Sequence, residues 1–133
     1  MSEKPNFTKT AGEMVAEAKT RVRNLDVAHV ADAVKKGALL VDLRESEERQ
    51  REGVIPGALH APRGMIEFYA DPATPYHRAE FAPEQRIILH CASGSRSALA
   101  ADTLQQMGYQ DVAHLDGGFK AWKEQGQPIQ ASS

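Results

Sequence analysis

The sequence predicts an α/β domain built around a mainly parallel sheet. Short apolar runs typical of buried strands alternate with segments whose apolar residues recur every three or four positions, as on one face of a helix. Three runs carry the strand signal: Ala38–Leu43, Arg86–His90 and Val112–Leu115. The chain has 133 residues, the length of a single domain. We divide it into an N-terminal extension with a helix, residues 1–24, and one main domain, residues 25–130.

The elements between these strands follow from helical spacing and from turn residues. Asp26 is placed to cap the second helix, because its carboxylate can accept from the first free N–H groups. A short strand is expected near Ala58–His60, and residues 71–83, which hold three prolines, are expected to form a long structured loop. The expected helices are Ala11–Val22, Val27–Lys36, residues 63–70, Ser97–Met107 and a last one through Trp122, with a helical turn at Ser46–Arg51.

The charge balance argues against a nucleic-acid binder. The chain carries 16 basic and 18 acidic side chains, a formal net charge of -2, whereas nucleic-acid binders usually show a basic excess. No apolar run approaches the roughly 20 residues that span a bilayer, and the N-terminus lacks the apolar core of a signal peptide. We therefore expect a cytoplasmic protein with neither a nucleic acid nor a membrane as partner.

The cysteine and histidine content argues against a disulfide framework and against a metal site. A single cysteine, Cys91, excludes an internal disulfide and a cysteine-rich zinc site. The five histidines show no pair at ligand spacing on one helix, so no metal is expected.

The informative segment is the loop that follows the strand Arg86–His90. The strand delivers Cys91 to its carboxyl end, where open α/β sheets bind ligands. The small loop residues Ala92, Ser93, Gly94 and Ser95 then lead into a helix, whose unpaired N–H groups and dipole favour an anion. A cysteine in this position is expected to have a lowered pKa and to react as a thiolate.

Two further residues of this loop support the same interpretation. Arg96 adds a fixed positive charge suited to oxyanions, and Gly94 permits a positive φ. Together the loop, Cys91 and Arg96 predict an anion-binding nest around a nucleophile. The competing interpretation is that a lone cysteine is a small buried apolar residue and that the loop is ordinary strand–turn–helix packing.

Four motifs follow one another along the chain. They are Val41-Asp42-Leu43-Arg44, Gly53-Val54-Ile55-Pro56-Gly57-Ala58, the loop Cys91-Ala92-Ser93-Gly94-Ser95-Arg96, and Gly117-Gly118-Phe119-Lys120-Ala121-Trp122. In these motifs and their order the sequence resembles the single-domain rhodanese family of sulfurtransferases, over about residues 25–128. Val54 departs from the resemblance, since it stands where the family often has histidine.

The resemblance implies a rhodanese-like fold, with a five-stranded sheet flanked by helices on both faces, and a persulfide mechanism. The Cys91 thiolate would take the outer sulfur of a small anionic donor such as thiosulfate, or of a persulfide. The N–H groups of Ala92 to Arg96 would hold that sulfur until cyanide or a thiol, including a protein thiol, accepts it. No organic cofactor is needed. Because the loop holds only one basic residue, Arg96, the natural donor is left open.

Other functions on the same fold stay open at this point. Cell-cycle phosphatases also close a cysteine loop with arginine, and the pair His90-Cys91 is similar to theirs. Their loop is one residue longer than the four residues that separate Cys91 from Arg96 here, so a phosphatase or arsenate reductase is the minor alternative. A persulfide carrier or binding module in a protein sulfur relay would use the same residues.

Four residues outside the loop are singled out as well. Asp42 and Arg44 are expected to support the structure, with Asp42 bonding backbone near the loop and Arg44 pairing with Glu47 or Glu48. Arg63, which follows the strand near Ala58–His60, is a candidate for attracting an anionic donor. Strand alternation is expected to point the His90 side chain away from Cys91.

Overall fold

The computed structural model describes residues 8–132, and the first seven residues of the expected N-terminal extension lie outside this range. A 3-10 turn at Arg63–Met65 precedes the fourth helix. The helices are α1 (Ala11–Arg21), α2 (Val27–Lys35), α3 (Ser46–Glu52), α4 (Ile66–Ala70), α5 (Ser95–Gln106) and α6 (Gly118–Glu124). The strands are β1 (Arg23–Leu25), β2 (Leu39–Asp42), β3 (Leu59–His60), β4 (Ile87–His90) and β5 (Val112–Leu115).

The five strands form one parallel sheet in the order β1-β5-β4-β2-β3. The predicted α/β class and five-stranded sheet are therefore confirmed. Strand β4 lies in the centre, with Asp42 of β2 in register with His90. After β2 the chain moves to one edge through β3, and after β4 it moves the other way to β5. The carboxyl ends of β2 and β4 thus flank the point where the direction reverses, which is where such sheets bind ligands.

The apolar side chains of the sheet feed two cores, one on each face. Along β4, Ile87 and Leu89 pack on one face and Ile88 on the other, as strand alternation requires. Helices α4 and α5 cover the first face through Ile66, Ala70, Ala100, Ala101 and Leu104. Helices α2 and α6 cover the second face through Val27, Val30, Ala33, Phe119 and Trp122. Trp122 is buried and anchors α6 in this second core.

Helix α1 packs along α5. It begins with a capping box in which the Thr10 side chain accepts from the Glu13 N–H. It ends at Arg21, whose guanidinium forms two hydrogen bonds, of 3.0 and 2.7 Å, with the Asp102 carboxylate of α5. None of the helices within residues 8–132 has the length and apolar character to cross a membrane.

Two predicted elements differ from the structure, and one element of the structure was not predicted. Residues 63–70 form a 3-10 turn and the short helix α4, not one helix. Helix α5 begins at Ser95, two residues before the predicted start, because Gly94 adopts a left-handed conformation with φ 109° and becomes the N-cap. The edge strand β1, Arg23–Leu25, was not predicted, since three largely exposed residues carry no apolar pattern.

Candidate active site

Cys91 is the first residue after β4, and its side chain lies beneath the loop that leads into α5. The residue is 1% exposed. The Gly94 N–H donates to Sγ at 3.2 Å, and the Ser97 hydroxyl oxygen lies 3.6 Å from Sγ. The loop thus curls over the sulfur and directs backbone donors at it, as predicted for an anion-binding nest.

The environment of the thiol favours its ionised form. Burial by itself would raise the pKa of Cys91. Hydrogen bonds from the Ser97 hydroxyl and from the backbone N–H groups of Ser97, Gly94 and Ser93 outweigh burial, so that the pKa of Cys91 lies below its ordinary value. This is the direction required of a nucleophilic cysteine.

Arg96 lies in the first turn of α5, but its guanidinium is already paired. Nη1 and Nη2 donate to the two carboxylate oxygens of Glu48 at 2.7 and 2.9 Å. This bidentate pair ties α5 to α3 across the mouth of the loop. It also raises the pKa of Arg96, with a smaller contribution from Cys91. The cation therefore sits near the sulfur, with much of its charge balanced by Glu48.

Helix α6 packs against the cysteine loop and holds it through two backbone hydrogen bonds. The N–H groups of Phe119 and Lys120 donate to the carbonyl oxygens of Cys91 and Ala92 at 2.9 and 3.1 Å. Gly118, with φ 60°, allows this approach, because a Cβ there would lie 2.6 Å from the carbonyl carbon and oxygen of Ala92. The Gly-Gly motif far along the chain is thus a structural part of the cysteine loop.

We expect Gly118→Ala to destabilise the protein by about 3 kcal/mol, since the new methyl group meets backbone and also occupies a positive φ. Urea unfolding measures the loss. Gly126→Ala is the matched control: it shares a positive φ, 75°, but a Cβ there meets nothing within 4 Å, so about 1 kcal/mol is expected. Equal losses in the two variants would show that contact with the loop is unimportant.

Asp42 and Arg44 form a buried ion pair at the end of β2. Arg44 Nε and Nη2 donate to the two carboxylate oxygens at 3.0 and 2.9 Å, and its backbone N–H donates to the carboxylate at 3.0 Å. The expectation that Arg44 pairs with Glu47 or Glu48 was wrong. Asp42 is two residues away and already buried, while Glu48 is taken by Arg96.

The Arg44 guanidinium has two further contacts. It stacks on the Phe119 ring with 4.0 Å to the centroid, and it donates to the Gly53 carbonyl oxygen at 2.9 Å. Arg44 therefore joins β2 to α6 and to the end of α3. Burial would raise the pKa of Asp42, but the hydrogen bonds from Arg44 outweigh it and the pKa is lowered.

His90 lies on the opposite face of β4 from Cys91, as strand alternation predicted. Its ring stacks with Phe119 at 6.4 Å between centroids, and Nε2 lies 3.7 Å from Asp42 Oδ1. Complete burial lowers the pKa of His90, with Asp42 opposing. The imidazole is thus neutral and packed, and it does not face the sulfur.

A chain of polar side chains behind Cys91 was missed from the sequence. The Ser97 hydroxyl lies 2.8 Å from Nδ1 of the buried His114, and His114 Nε2 lies 2.7 Å from Asn24 Oδ1. Asn24 and His114 are 90 positions apart, so only the β1–β5 pairing brings them together.

Comparison with known proteins identifies the family. A model of the rhodanese-like domain matches residues 26–125. The chain belongs to the rhodanese-like family. The expectation drawn from the four motifs is confirmed, and the fold is the rhodanese-like fold.

Individual relatives agree with this assignment. A sulfurtransferase of Allochromatium vinosum is 38% identical over 93 residues, which are 70% of this chain and 78% of the relative. A Bacillus subtilis protein whose name proposes a sulfur-carrier role is 28% identical over 88% of this chain and 60% of its own length. A solved structure from Rhodopseudomonas palustris, a protein of unknown function called a possible tyrosine phosphatase, has a TM-score of 0.89 at 39% identity, covering 97% of this chain and 100% of that one.

The Arg63 guanidinium is paired within its own segment of this rhodanese-like domain. Its Nη1 donates to both carboxylate oxygens of Glu67, one turn further along, at 3.0 and 3.2 Å. It lines a cavity on the α1–α5 side together with Met14 and Asp102. A role for Arg63 in attracting the donor stays a prediction.

A surface cavity of about 620 Å³ opens beside the cysteine loop. Ala92 and Phe119 form its inner wall, and Glu48 borders it from α3. The remaining lining is of mixed charge, with the cations Arg44, Arg51, Lys120 and Lys123 and the carboxylates Glu52 and Glu124. Except for Arg44, these side chains come from α3 and α6, so the sequence alone carries no sign that they lie beside the cysteine loop.

The Glu48–Arg96 pair gives acid sensitivity to the rhodanese-like fold. Arg96 lowers the pKa of Glu48 to about 2. A carboxylate whose folded pKa is depressed stabilises the fold fully above its ordinary pKa, and this stability is lost as pH falls toward the folded pKa. Because both side chains are partly exposed, we expect a loss of only about 1–2 kcal/mol between about pH 5 and pH 2.

Urea unfolding at the two pH values measures this loss, and Glu48→Gln should remove that increment of pH dependence. The neighbouring Glu47→Gln, on the exposed side of α3, is the control and should unfold as the native protein does. A Glu48→Gln profile identical to the native one would contradict the assignment.

Proposed function

We propose that this protein is a sulfurtransferase that carries a sulfane sulfur on Cys91 as a persulfide. The observation that supports it most is the cradle of N–H groups around Sγ at the carboxyl end of β4. In that cradle Gly94 donates directly to the sulfur and Ser93 and Ser97 lower the thiol pKa. Such a cradle favours a thiolate before transfer and an anionic terminal sulfur after it.

In the first half-reaction the Cys91 thiolate attacks the outer sulfur of a donor such as thiosulfate or a persulfide. The new S–S bond forms as the bond to the leaving group breaks, and sulfite or a thiolate departs with the electron pair. The loop N–H groups from Ala92 to Arg96 then bind the terminal sulfur of the persulfide. Arg96 contributes the part of its charge that Glu48 does not balance.

In the second half-reaction an acceptor nucleophile, cyanide or a thiol, attacks the terminal sulfur and releases the Cys91 thiolate. This is the double displacement of covalent catalysis. Supporting this step, the cavity beside Ala92 offers room for an acceptor larger than cyanide. No metal or organic cofactor takes part, and we assign the activity to the cytoplasm.

A sulfur-carrier role is the second candidate, supported by the name of the Bacillus subtilis relative. It uses the same persulfide, with protein thiols as donor and acceptor. The two roles separate in an assay: an enzyme turns over thiosulfate and cyanide many times, whereas a carrier loads once and discharges only to a partner thiol.

Phosphatase activity is the third candidate, raised by the description of the Rhodopseudomonas palustris protein. The nearly complete burial of Cys91 and the four-residue spacing to Arg96 favour a single sulfur atom over a phosphate group. We expect no hydrolysis of a small aryl phosphate or reduction of arsenate. Efficient hydrolysis of the aryl phosphate by a protein that takes up no sulfur would show that it is a phosphatase and not a sulfurtransferase.

The deciding experiment is the intact mass of the protein after incubation with thiosulfate. The expected result is a gain of one sulfur atom, lost again on addition of cyanide with formation of thiocyanate. Because Cys91 is the single cysteine of the chain, the site of loading is not ambiguous. An unchanged mass with thiosulfate and with a low-molecular-weight persulfide would overturn the proposal.

A further inference from the structure

Behind Cys91, a row of hydrogen-bonded side chains leads from the sulfur through the interior, past β5, to Asn24 in the edge strand β1. Its members are Cys91 Sγ, Ser97 Oγ, the His114 ring and Asn24 Oδ1, with successive distances of 3.6, 2.8 and 2.7 Å. Ser97 and His114 are fully buried. The persulfide chemistry proposed above does not use His114.

The orientation of Asn24 determines where the protons of this chain lie. Its Nδ2 donates to the carbonyl oxygens of Lys19 and Val22 at 2.9 and 3.2 Å, so its Oδ1 is the atom that faces His114. An oxygen can only accept, and His114 therefore carries its proton on Nε2. Nδ1 of the neutral ring is then an acceptor, and Ser97 must donate its hydroxyl proton to it.

A serine hydroxyl has only one proton. While Ser97 donates to His114, it can only accept from Cys91, and the thiol S–H donates to Oγ. When the sulfur becomes a thiolate, Ser97 can donate to it only by withdrawing its proton from His114. Nδ1 would then be a buried acceptor without a donor, unless it takes up a proton itself. The protonation of Cys91 and that of His114 are thus linked through Ser97.

We propose that His114, acting through Ser97, accepts the proton of Cys91 as the thiolate forms. The S–H bond breaks as its proton passes to Ser97 Oγ, and the hydroxyl proton of Ser97 passes to His114 Nδ1. The products are a thiolate that accepts a hydrogen bond from Ser97 and an imidazolium that donates to Ser97 and Asn24. No proton is gained or lost overall. Transfer back along the chain protonates Cys91 again when sulfur leaves it.

Burial lowers the pKa of His114 to about 4, Asp116 opposes that shift and Lys19 adds to it. The ring is therefore neutral while Cys91 is a thiol, and burial makes the imidazolium costly. The charge that offsets this cost is the thiolate itself, which forms together with the imidazolium and lies one hydroxyl group away. Lys19 and Asp116 form an ion pair of 3.2 Å on the α1 and β5 side, and Arg96 with Glu48 is the charged pair that faces the sulfur from α5 and α3. His114 is a positioning residue, because it does not touch the sulfur.

The purpose of this proton path rests on the proposed function, but its test does not. The test is the rate at which iodoacetamide alkylates Cys91, measured as a function of pH. A shared proton gives the native rate a floor in acid, between about pH 4 and pH 6, because thiolate and imidazolium form together there without proton release. In His114→Gln and Ser97→Ala the rate should instead keep falling about tenfold for each pH unit through this range. Ser97→Thr, which keeps the hydroxyl, should restore the floor.

His77→Gln is the matched control, since the ring of this half-buried histidine is described in one hydrogen bond, to the Phe81 carbonyl oxygen, and the variant should leave the profile unchanged. A native-like profile in folded His114→Gln would overturn the proposal. If either variant does not fold, ring nitrogen NMR of the native protein decides. Neutral His114 protonated on Nε2 supports the proposal, and protonation on Nδ1 overturns it.

The mass experiment with thiosulfate separates this proposal from the proposed function. In alkaline solution, where thiol and solvent exchange protons freely, His114→Gln should still load sulfur if the protein is a sulfurtransferase. If the native protein never loads sulfur while its alkylation profile depends on His114, the proposed function fails and the proton path stands.

Discussion

Replacing Cys91 with serine should abolish loading with sulfur from thiosulfate, lowering sulfur transfer to cyanide by at least about a thousandfold. The alcohol is far less acidic than the thiol, so the same cradle of N–H groups would hold a neutral hydroxyl that does not attack sulfur. The serine is close in size to cysteine and faces the same donor, the Gly94 N–H. We therefore expect the stability to change by no more than about 1 kcal/mol. Thiocyanate formation and urea unfolding measure the two effects.

Ser93→Ala is the matched control for this variant. Its side chain is exposed, and the interaction that Ser93 makes with the sulfur comes from its backbone N–H, which alanine keeps. Sulfur loading at the native rate is expected. A Cys91→Ser protein that is folded and still produces thiocyanate at the native rate would show that the persulfide does not form on this residue.

The position of Cys91 could be predicted because its signals are local in the sequence. A run of apolar residues predicts the buried strand, and strand alternation then places His90 and Cys91 on opposite faces. The small residues after Cys91 predict a tight loop before a helix. The structure places both histidine and cysteine as expected, and Gly94 has the positive φ that was predicted for it.

The partners of the charged side chains could not be predicted in this way. Arg44 was assigned to the acidic residues that follow it, whereas the structure gives it Asp42 and leaves Glu48 to Arg96, 48 positions away. Which carboxylate a guanidinium meets depends on the packing of α3 against α5, and a single sequence carries no signal for that. The hydrogen bond between Ser97 and His114 could not be predicted for the same reason, since it forms only because β5 lies beside β4.

Asp42→Asn should destabilise the protein by about 3–5 kcal/mol, the largest loss of stability expected of any single substitution considered for this chain. Arg44 is 1% exposed, and Asp42 is the only carboxylate paired with it among the described residues. Removing that charge leaves a guanidinium in the interior with Phe119 and the Gly53 carbonyl oxygen as remaining partners. An unpaired buried charge costs far more than the pair contributes when intact. Urea unfolding measures the loss.

The double variant Asp42→Asn with Arg44→Met tests whether that buried charge is the cause. Removing the cation as well should recover part of the loss, so that the double variant is less destabilised than the sum of the two single ones. Asp32→Asn is the surface control, because its pair with Lys36 is largely exposed and a change within about 0.5 kcal/mol is expected. Strictly additive losses would mean that Asp42 stabilises the end of β2 through its other contacts, the bond from the Arg44 backbone N–H and the 3.2 Å ion pair with Arg49. In that case Asp42 would act on the cysteine loop through the pairing of β2 with β4, where Asp42 lies opposite His90. The loss of stability should then be accompanied by slower sulfur loading at an unchanged pKa of the Cys91 thiol.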